Sequence, residues 1–243
     1  VVAEAVSRLG SEAQRAAVLP GLLDGTAVAA WCGATPVDAR ADGDGFVLSG
    51  CVEPVEAGGQ ASHLVVGFRH ADGVGQALLA ADTPGLRVEP LDGLDLVRRF
   101  AAVHLDDVTV TGEQLLGGAT GAEAAVERQL QVANVLQAAA SVGAMDRVLA
   151  MTVEYLGDRY SFGRPLASYQ ALKHRVADQK LWLEASHAIA TGAARAVAAE
   201  RPEAAELVSA AKAWIGPHAT ELVQDCIQLH GGIGVTWEHD LHL

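Results

Sequence analysis

The chain has 243 residues, half of them hydrophobic and few aromatic, with a formal net charge of −13. That length and apolar content suit one large domain or two modest ones with real cores and leave no signature of disorder. The acidic balance argues against a nucleic-acid backbone or an anionic membrane as the main partner, because both select for clustered Lys and Arg.

From about Gly25 to Gly118 the sequence is punctuated by Gly, Asp and Pro, as in ADGDGFVLSG, HADGVGQ and DTPGLRVEP. The short runs between these turns predict strands at Phe46–Leu48, His63–Phe68, Gln76–Ala80, Leu86–Val88 and Phe100–Val110, an all-β half of antiparallel barrel or sandwich type. After Gly118 no proline occurs until Pro165, and Ala, Leu and Gln dominate. A helix is predicted from about Ala122 to Asp158. Its apolar stripe is read from Val132, Leu136, Ala140, Ala144 and Val148, joined by Ala139, Gly143, Met151 and Tyr155. A second helix is expected from about Ser168 to Glu200, with Ser168 placed to start it. A third is expected to open at Arg201-Pro202-Glu203, with proline at its first position, and to end at His230-Gly231-Gly232. Gly216-Pro217 inside it predicts a kink. The fold class is therefore α+β: a β-barrel or sandwich followed by an up-down helical bundle.

Most chemistry-bearing patterns are missing. There is no G-x-x-x-x-G-K-[ST], no G-x-S-x-G, and Gly231-Gly232-Ile233-Gly234 follows a helix rather than a strand, the wrong context for a dinucleotide turn. Cys32, Cys51 and Cys226 are few, odd in number and far apart, which points away from a disulfide framework or a cysteine-rich zinc site and toward a reducing, cytoplasmic setting. The charge-free run Gln129–Met145 is interrupted by Gln, Asn and Ser, so no spanning helix is expected, and the start shows no signal pattern. His239 and His242 lack a third ligand in pattern, so no metal site is expected. His63 and His104 read as ordinary sheet residues, and Lys173-His174-Arg175 as a solvated helix face.

Two stretches stand out. RYSFGRPLASYQ, Arg159 to Gln170, places a cation, a hydroxyl and an aromatic ring beside Gly163 and Pro165. QLHGGIGVTWE, Gln228 to Glu238, exposes backbone amides at two glycines next to a side-chain amide. Such groups suit a pyrophosphate, and by their chemistry alone helix punctuation is an equal reading.

Arg159, Phe162, Gly163, Pro165, Tyr169, Gln170, Ala177 and Asp178, followed by Gln228, Gly231, Gly232, Gly234, Thr236 and Glu238, match in order and spacing two motifs of the acyl-CoA dehydrogenase family, which the chain resembles over nearly all its length. The resemblance implies three parts: residues 1–24 as the end of an N-terminal helical domain, 25–118 as a middle β-barrel domain, and 119–243 as a C-terminal helical bundle. It implies FAD as cofactor, α,β-desaturation of an acyl-CoA thioester, and reoxidation by an electron-transfer flavoprotein. By the same resemblance Arg159, Ser161, Phe162, Gln170, Gln228 and the Gly231-Gly232 backbone would serve the ADP half of the flavin.

The resemblance fails elsewhere. The family's T-E-P flavin loop stands here as Ala34-Thr35-Pro36, and its W-I-T-N-G segment as Pro54-Val55-Glu56-Ala57-Gly58. Pro54 then replaces an indole over the flavin, and Glu56, a carboxylate that would repel reduced flavin, replaces a hydrogen-bonding threonine. Of the two family positions for the catalytic glutamate, one falls on Ala133 and the other beyond Leu243, so no catalytic residue is named. One half-site kept and one lost leads to the expectation of a subunit in a heteromeric enzyme of the kind that acts on steroid side-chain CoA thioesters. A homotetramer with an atypical flavin pocket, or a non-catalytic scaffold subunit, are the alternatives.

Overall fold

The computed structural model describes residues 1–95 and 97–242, and the side chain of His242 lies outside what is described. The chain divides into two compact units, Val1–Leu130 and Gln131–Leu243.

The first unit opens with helices α1 (Val2–Leu9) and α2 (Glu12–Asp24). Ser11 starts α2 with a reciprocal capping box, its hydroxyl accepting from Gln14 N–H while the Gln14 side chain accepts from Ser11 N–H. Six strands follow: β1 (Ala29–Asp42), β2 (Gly45–Glu56), β3 (His63–His70), β4 (Gly73–Ala80), β5 (Leu86–Leu91) and β6 (Phe100–Val110). They form one sheet in the order β4-β3-β1-β2-β6-β5.

That order corrects the expectation of an antiparallel barrel or sandwich. The sheet is mixed, because β1 and β3 run parallel, and among the described residues it does not close. The parallel pair has a simple cause. After the β1–β2 hairpin the chain crosses β1 by a short 3-10 turn, Gly58–Gln60, and re-enters on its far side, antiparallel to β2 and so parallel to β1. The β4 edge is covered instead by the segment after β6, where Ala77 bridges Leu115 and Leu116 N–H donates to the Gln76 carbonyl at 2.8 Å.

Strand β1 was not among the predicted strands, although it lies inside the sheet. Its Gly33, Asp38 and Pro36 are residues that strands usually avoid. Pro36 is tolerated because the ladder with β3 breaks register between Cys32 and Val37, so no hydrogen bond is asked of it. Leu64, Val66 and Phe68 of β3 join the core of Leu48, Leu79, Val103 and Leu105, while Val65 faces Val6 and Val18 of the first helices. Burial on both faces explains the unbroken apolar run HLVVGF.

Helix α3 (Glu123–Asp158) begins in this unit. Its first turns are pinned by a buried amide pair: Gln76 Nε2 donates to Gln129 Oε1 at 2.7 Å, Gln129 Nε2 donates to Gln76 Oε1 at 2.9 Å, and the Trp31 indole N–H donates to Gln129 Oε1 at 2.7 Å. Every polar atom of the pair is satisfied, so the polar lock specifies one register without an unmet desolvation cost.

The second unit contains the rest of α3, a two-residue-strand hairpin of β7 (Tyr160–Ser161) and β8 (Arg164–Pro165), helix α4 (Gln170–Ala198) and helix α5 (Ala204–His230). Its core joins Val142, Met145 and Leu149 of α3 to Leu183 of α4 and Ile215 and Leu222 of α5. The stripe read from the sequence is displaced. Leu136, Ala140, Gly143 and Ala144 are exposed in this chain, and Ala138, Val142, Met145, Leu149, Thr152 and Leu156 are buried. A ladder of steps of four drifts around the helix by about 40° per step, whereas alternating steps of four and three stay on one face. Helix α5 starts at Ala204 with Glu203 as its cap, so Pro202 lies before the helix rather than at its first position; the helix continues through Gly216-Pro217.

Candidate functional site

Helix α3 ends in the stretch that carries the first motif. Arg159 N–H still donates to the Tyr155 carbonyl at 2.9 Å, and its own carbonyl accepts from Leu166 N–H at 2.8 Å, closing a hairpin. Tyr160 faces Pro165 and Ser161 faces Arg164, leaving Phe162-Gly163 as the loop. Both loop residues have positive φ, 52° and 79°, the geometry of a type I′ hairpin. Glycine suits that position and phenylalanine does not, yet the Phe162 ring is 96% exposed. The hairpin is braced from behind: the Tyr169 hydroxyl donates to the Ser161 carbonyl at 2.9 Å, and the Arg164 guanidinium lies 3.8 Å over the Tyr169 ring. Ser168 does not cap α4. Its hydroxyl donates to the Pro165 carbonyl at 2.7 Å inside a 3-10 turn, and Tyr169 takes the cap position. Gln170 opens α4 with an exposed side chain that reaches His174 Nε2 at 3.0 Å.

The second motif closes α5. Gln228 is exposed, and Gly231 adopts φ 64° and ψ −139°, a region open to glycine alone, with its N–H donating to the Gln228 carbonyl. Gly231 and Gly232 are both exposed, and a methyl group on either would meet nothing within 4 Å. Gly234 is different. A Cβ there would stand 2.5 Å from the Ile227 carbonyl oxygen, so its role is close packing.

Two residues outside the sequence-predicted set join these stretches. The Tyr155 hydroxyl donates to the His230 carbonyl at 3.2 Å, and the two rings stack at 4.3 Å. Arg159 is one turn after Tyr155, and Gly231 follows His230, so the joint ties the base of the hairpin to the end of α5. His230 Nδ1–H donates to the Cys226 carbonyl at 2.9 Å, and the His239 ring meets it edge-on at 4.7 Å. Nε2 of His230 is buried and without a partner among the described residues. Burial, with His239 adding to it, lowers the His230 pKa and keeps the imidazole neutral. A histidine inside QLHGG and a tyrosine one turn before Arg159 were visible in the sequence, but nothing in the pattern said they touch.

The charges divide clearly. Arg159 is exposed and, among the described residues, pairs with no carboxylate. Arg175, read from the sequence as part of a solvated face, instead binds Asp225 of α5, which also accepts from the buried Gln179 amide. The hairpin and the α5 end thus offer an uncommitted guanidinium, the Ser161 hydroxyl, an exposed ring and glycine amides, a donor set that fits a pyrophosphate and its nucleoside. No cluster of three or more potential metal ligands occurs among the described residues, all three cysteines are free, and no helix is long and apolar enough to cross a membrane.

In the first unit, Ala34 lies exposed in β1, and Ala133 of α3 in the second unit carries no acid–base group. Glu56, expected as a bare repelling carboxylate, is paired. Arg98 Nε donates to Glu56 Oε1 at 2.8 Å and Nη2 to Oε2 at 2.6 Å, which holds the Glu56 carboxyl below the usual carboxylate range. Pro54 offers neither an N–H nor an aromatic face. These residues do not fit the ring of a flavin.

Comparison with known proteins agrees with the motifs. Residues 119–243 match the acyl-CoA dehydrogenase C-terminal domain family. The acyl-CoA dehydrogenase IpdE2 of Mycobacterium tuberculosis is 44% identical over 116 residues, 46% of this chain and 33% of that protein. IpdE2 of Mycolicibacterium smegmatis is 34% identical over 174 residues, 70% of this chain and 48% of that protein. The chain therefore spans between a third and a half of these curated relatives. Among solved structures, a variant of the Tcur3481-Tcur3483 steroid ACAD superposes with a TM-score of 0.87 at 31% identity, covering 99% of this chain and 66% of that one. A glutaryl-CoA dehydrogenase from Mycobacterium smegmatis in complex with FADH2 gives a TM-score of 0.88 at 26% identity, covering 100% and 65%.

Proposed function

The chain belongs to the acyl-CoA dehydrogenase family, and from that premise we propose that it is one subunit of a heteromeric, FAD-dependent acyl-CoA dehydrogenase. In this reading FAD is the hydride acceptor in α,β-desaturation of an acyl-CoA, and the substrate class is a bulky steroid side-chain thioester. The likeness to the Tcur3481-Tcur3483 steroid ACAD supports the substrate class and the paired subunits.

Arg159 supplies the positive charge for the pyrophosphate, the Gly231-Gly232 amides donate to its oxygens, and Ser161 adds a hydroxyl. Phe162 presents a face to the adenosine, while Gln170 and Gln228 give amides to its polar edge. In this reading the partner contributes the pocket for the flavin ring and the carboxylate that takes the α-proton. The observation that carries the reading is the Tyr155–His230 joint, which ties the two donor segments together with Arg159 left unpaired.

The test is to purify the chain alone and co-expressed with a companion family member, and to measure bound flavin and dye-linked activity. Flavin and activity are expected in the complex only; a lone chain carrying both would overturn the heteromer. In the complex, Arg159→Ala is expected to weaken flavin retention by about 10- to 100-fold, the range for losing a charge-assisted contact. Retention unchanged in that variant would favour the scaffold reading.

A further inference from the structure

Glu56 and Arg98 form a surface ion pair, their side chains 54% and 38% exposed, and the pair is braced by its neighbours. Glu56 ends β2 and faces Phe100 at the start of β6, in the ladder that joins the two strands. Both carboxylate oxygens are taken by one guanidinium edge, at 2.8 and 2.6 Å. The arginine is itself held in place: its backbone N–H donates to Asp95 Oδ1 at 2.9 Å, and its guanidinium lies 5.3 Å over the Phe100 ring. The turn beyond Glu56 is tied to the same loop, since Ala57 N–H donates to the Arg99 carbonyl at 2.8 Å. Space is short as well, because a Cβ on Gly58 would come within 3.1 Å of the Ala101 side chain.

We propose that Glu56 and Arg98 form a latch that closes this chain's own β-sheet unit to the flavin ring. This rests on the reading above, in which the ring is held by the partner. A planar heteroaromatic ring needs free donors and acceptors along its polar edge and a wall against its face. Here the fork of donors and the pair of acceptors are spent on each other, and Pro54 stands where the family resemblance implies an indole wall. The exclusion therefore does not come from an uncompensated negative charge, which the arginine cancels. It comes from a bidentate pair that a ring would have to break without offering a carboxylate or a guanidinium in return. The latch makes this subunit a donor to one shared flavin and keeps it from acquiring a second.

The experiment counts flavin released from the assembled pair of subunits. Wild type is expected to hold one flavin per pair. Pro54→Trp alone restores a wall but leaves the latch shut, so the count stays at one. Pro54→Trp with Glu56→Thr and Arg98→Ser opens the latch, and the count is expected to rise toward two. Pro54→Trp with Glu56→Arg and Arg98→Glu rebuilds the pair with reversed charge and should stay at one. Should the triple variant fold poorly, Glu56→Gln in the Pro54→Trp background keeps the side-chain shape and should raise the count in the same direction, by less. The latch is overturned if the opened variants assemble, keep the shared flavin and still stop at one, or if Pro54→Trp alone reaches two. A wild-type pair that already holds two flavins overturns the parent reading instead, so the two failures are distinct.

Discussion

A phenylalanine at φ 52° with 96% of its surface exposed is stabilised neither by its turn nor by a core, so its retention there needs a reason outside this chain. Replacing Phe162 with Asn, which tolerates the left-handed region, is expected to raise the stability of the chain by about 0.5–1 kcal/mol. The same variant should weaken flavin retention in the complex. Urea midpoints and flavin release give both readings, and a drop in stability would mean that the ring packs after all. His230 provides a second residue-scale test. Its folded pKa is lowered by burial, so below about pH 6.5 the unfolded chain takes up a proton that the folded chain refuses. Its contribution to stability is therefore complete at neutral pH and falls as the pH drops through that range. His230→Asn keeps a donor near the Cys226 carbonyl and does not titrate. Its melting temperature should fall less than the parent's between about pH 7 and pH 5; parallel curves would show that the imidazole carries no such linkage.

At the scale of elements, α4 and α5 are joined by a polar contact inside an otherwise apolar interface. Asp225 accepts from Arg175 and from Gln179, whose side chain is fully buried. Asp225→Ala leaves that amide without its partner and should cost about 2 kcal/mol in urea unfolding, with Asp225→Asn costing less because one acceptor survives. An Ala variant as stable as the parent would mean that water replaces the carboxylate. Arg175 also marks how far the sequence could be read. Lys173-His174-Arg175 looks like a solvated face, because nothing in a local window reveals a carboxylate fifty positions away on the next helix. The ends of α3, α5 and β6 were legible because turn chemistry marks them: Gly231 stops α5 and Asp158 ends α3 just before the hairpin. What escaped depends on non-local pairing. Strand β1 carries Pro36 and Gly33 and becomes a strand because β2 and β3 flank it; the stripe of α3 is chosen by α4 and α5, not by its own periodicity. The residues of the hairpin and of the α5 end were readable as types, while the Tyr155–His230 contact that ties them together was not.

Over the whole molecule, the charge and the exposed apolar groups oppose one another. A net charge of −13 keeps copies apart. Against it stand Leu94, Val97, Phe162 and Trp237, exposed by 99, 88, 96 and 79%. Val97 is also held in place rather than loose: Asp95 Oδ1 accepts from the Val97 and Arg98 N–H groups, and Arg98 is fixed to Glu56. Large aliphatic groups displayed on a braced backbone, as at Val97, favour association, because little conformational entropy remains to be lost when a partner covers them. Two consequences follow for the purified chain. Alone, it should bind an apolar fluorescent dye and self-associate, and self-association should grow as salt is raised from about 0.01 M to about 0.15 M, where the screening length shrinks from about 30 to about 8 Å and like-charge repulsion fades. Joined to a companion subunit, it should lose most of the dye signal and show no salt-driven growth, since the same groups are then covered. Leu94→Asp with Val97→Asp should remove much of the self-association without lowering the melting temperature, as neither side chain is packed in a core. Association that weakens with salt would instead identify ionic contacts as its source and would leave the braced loop without a role in assembly.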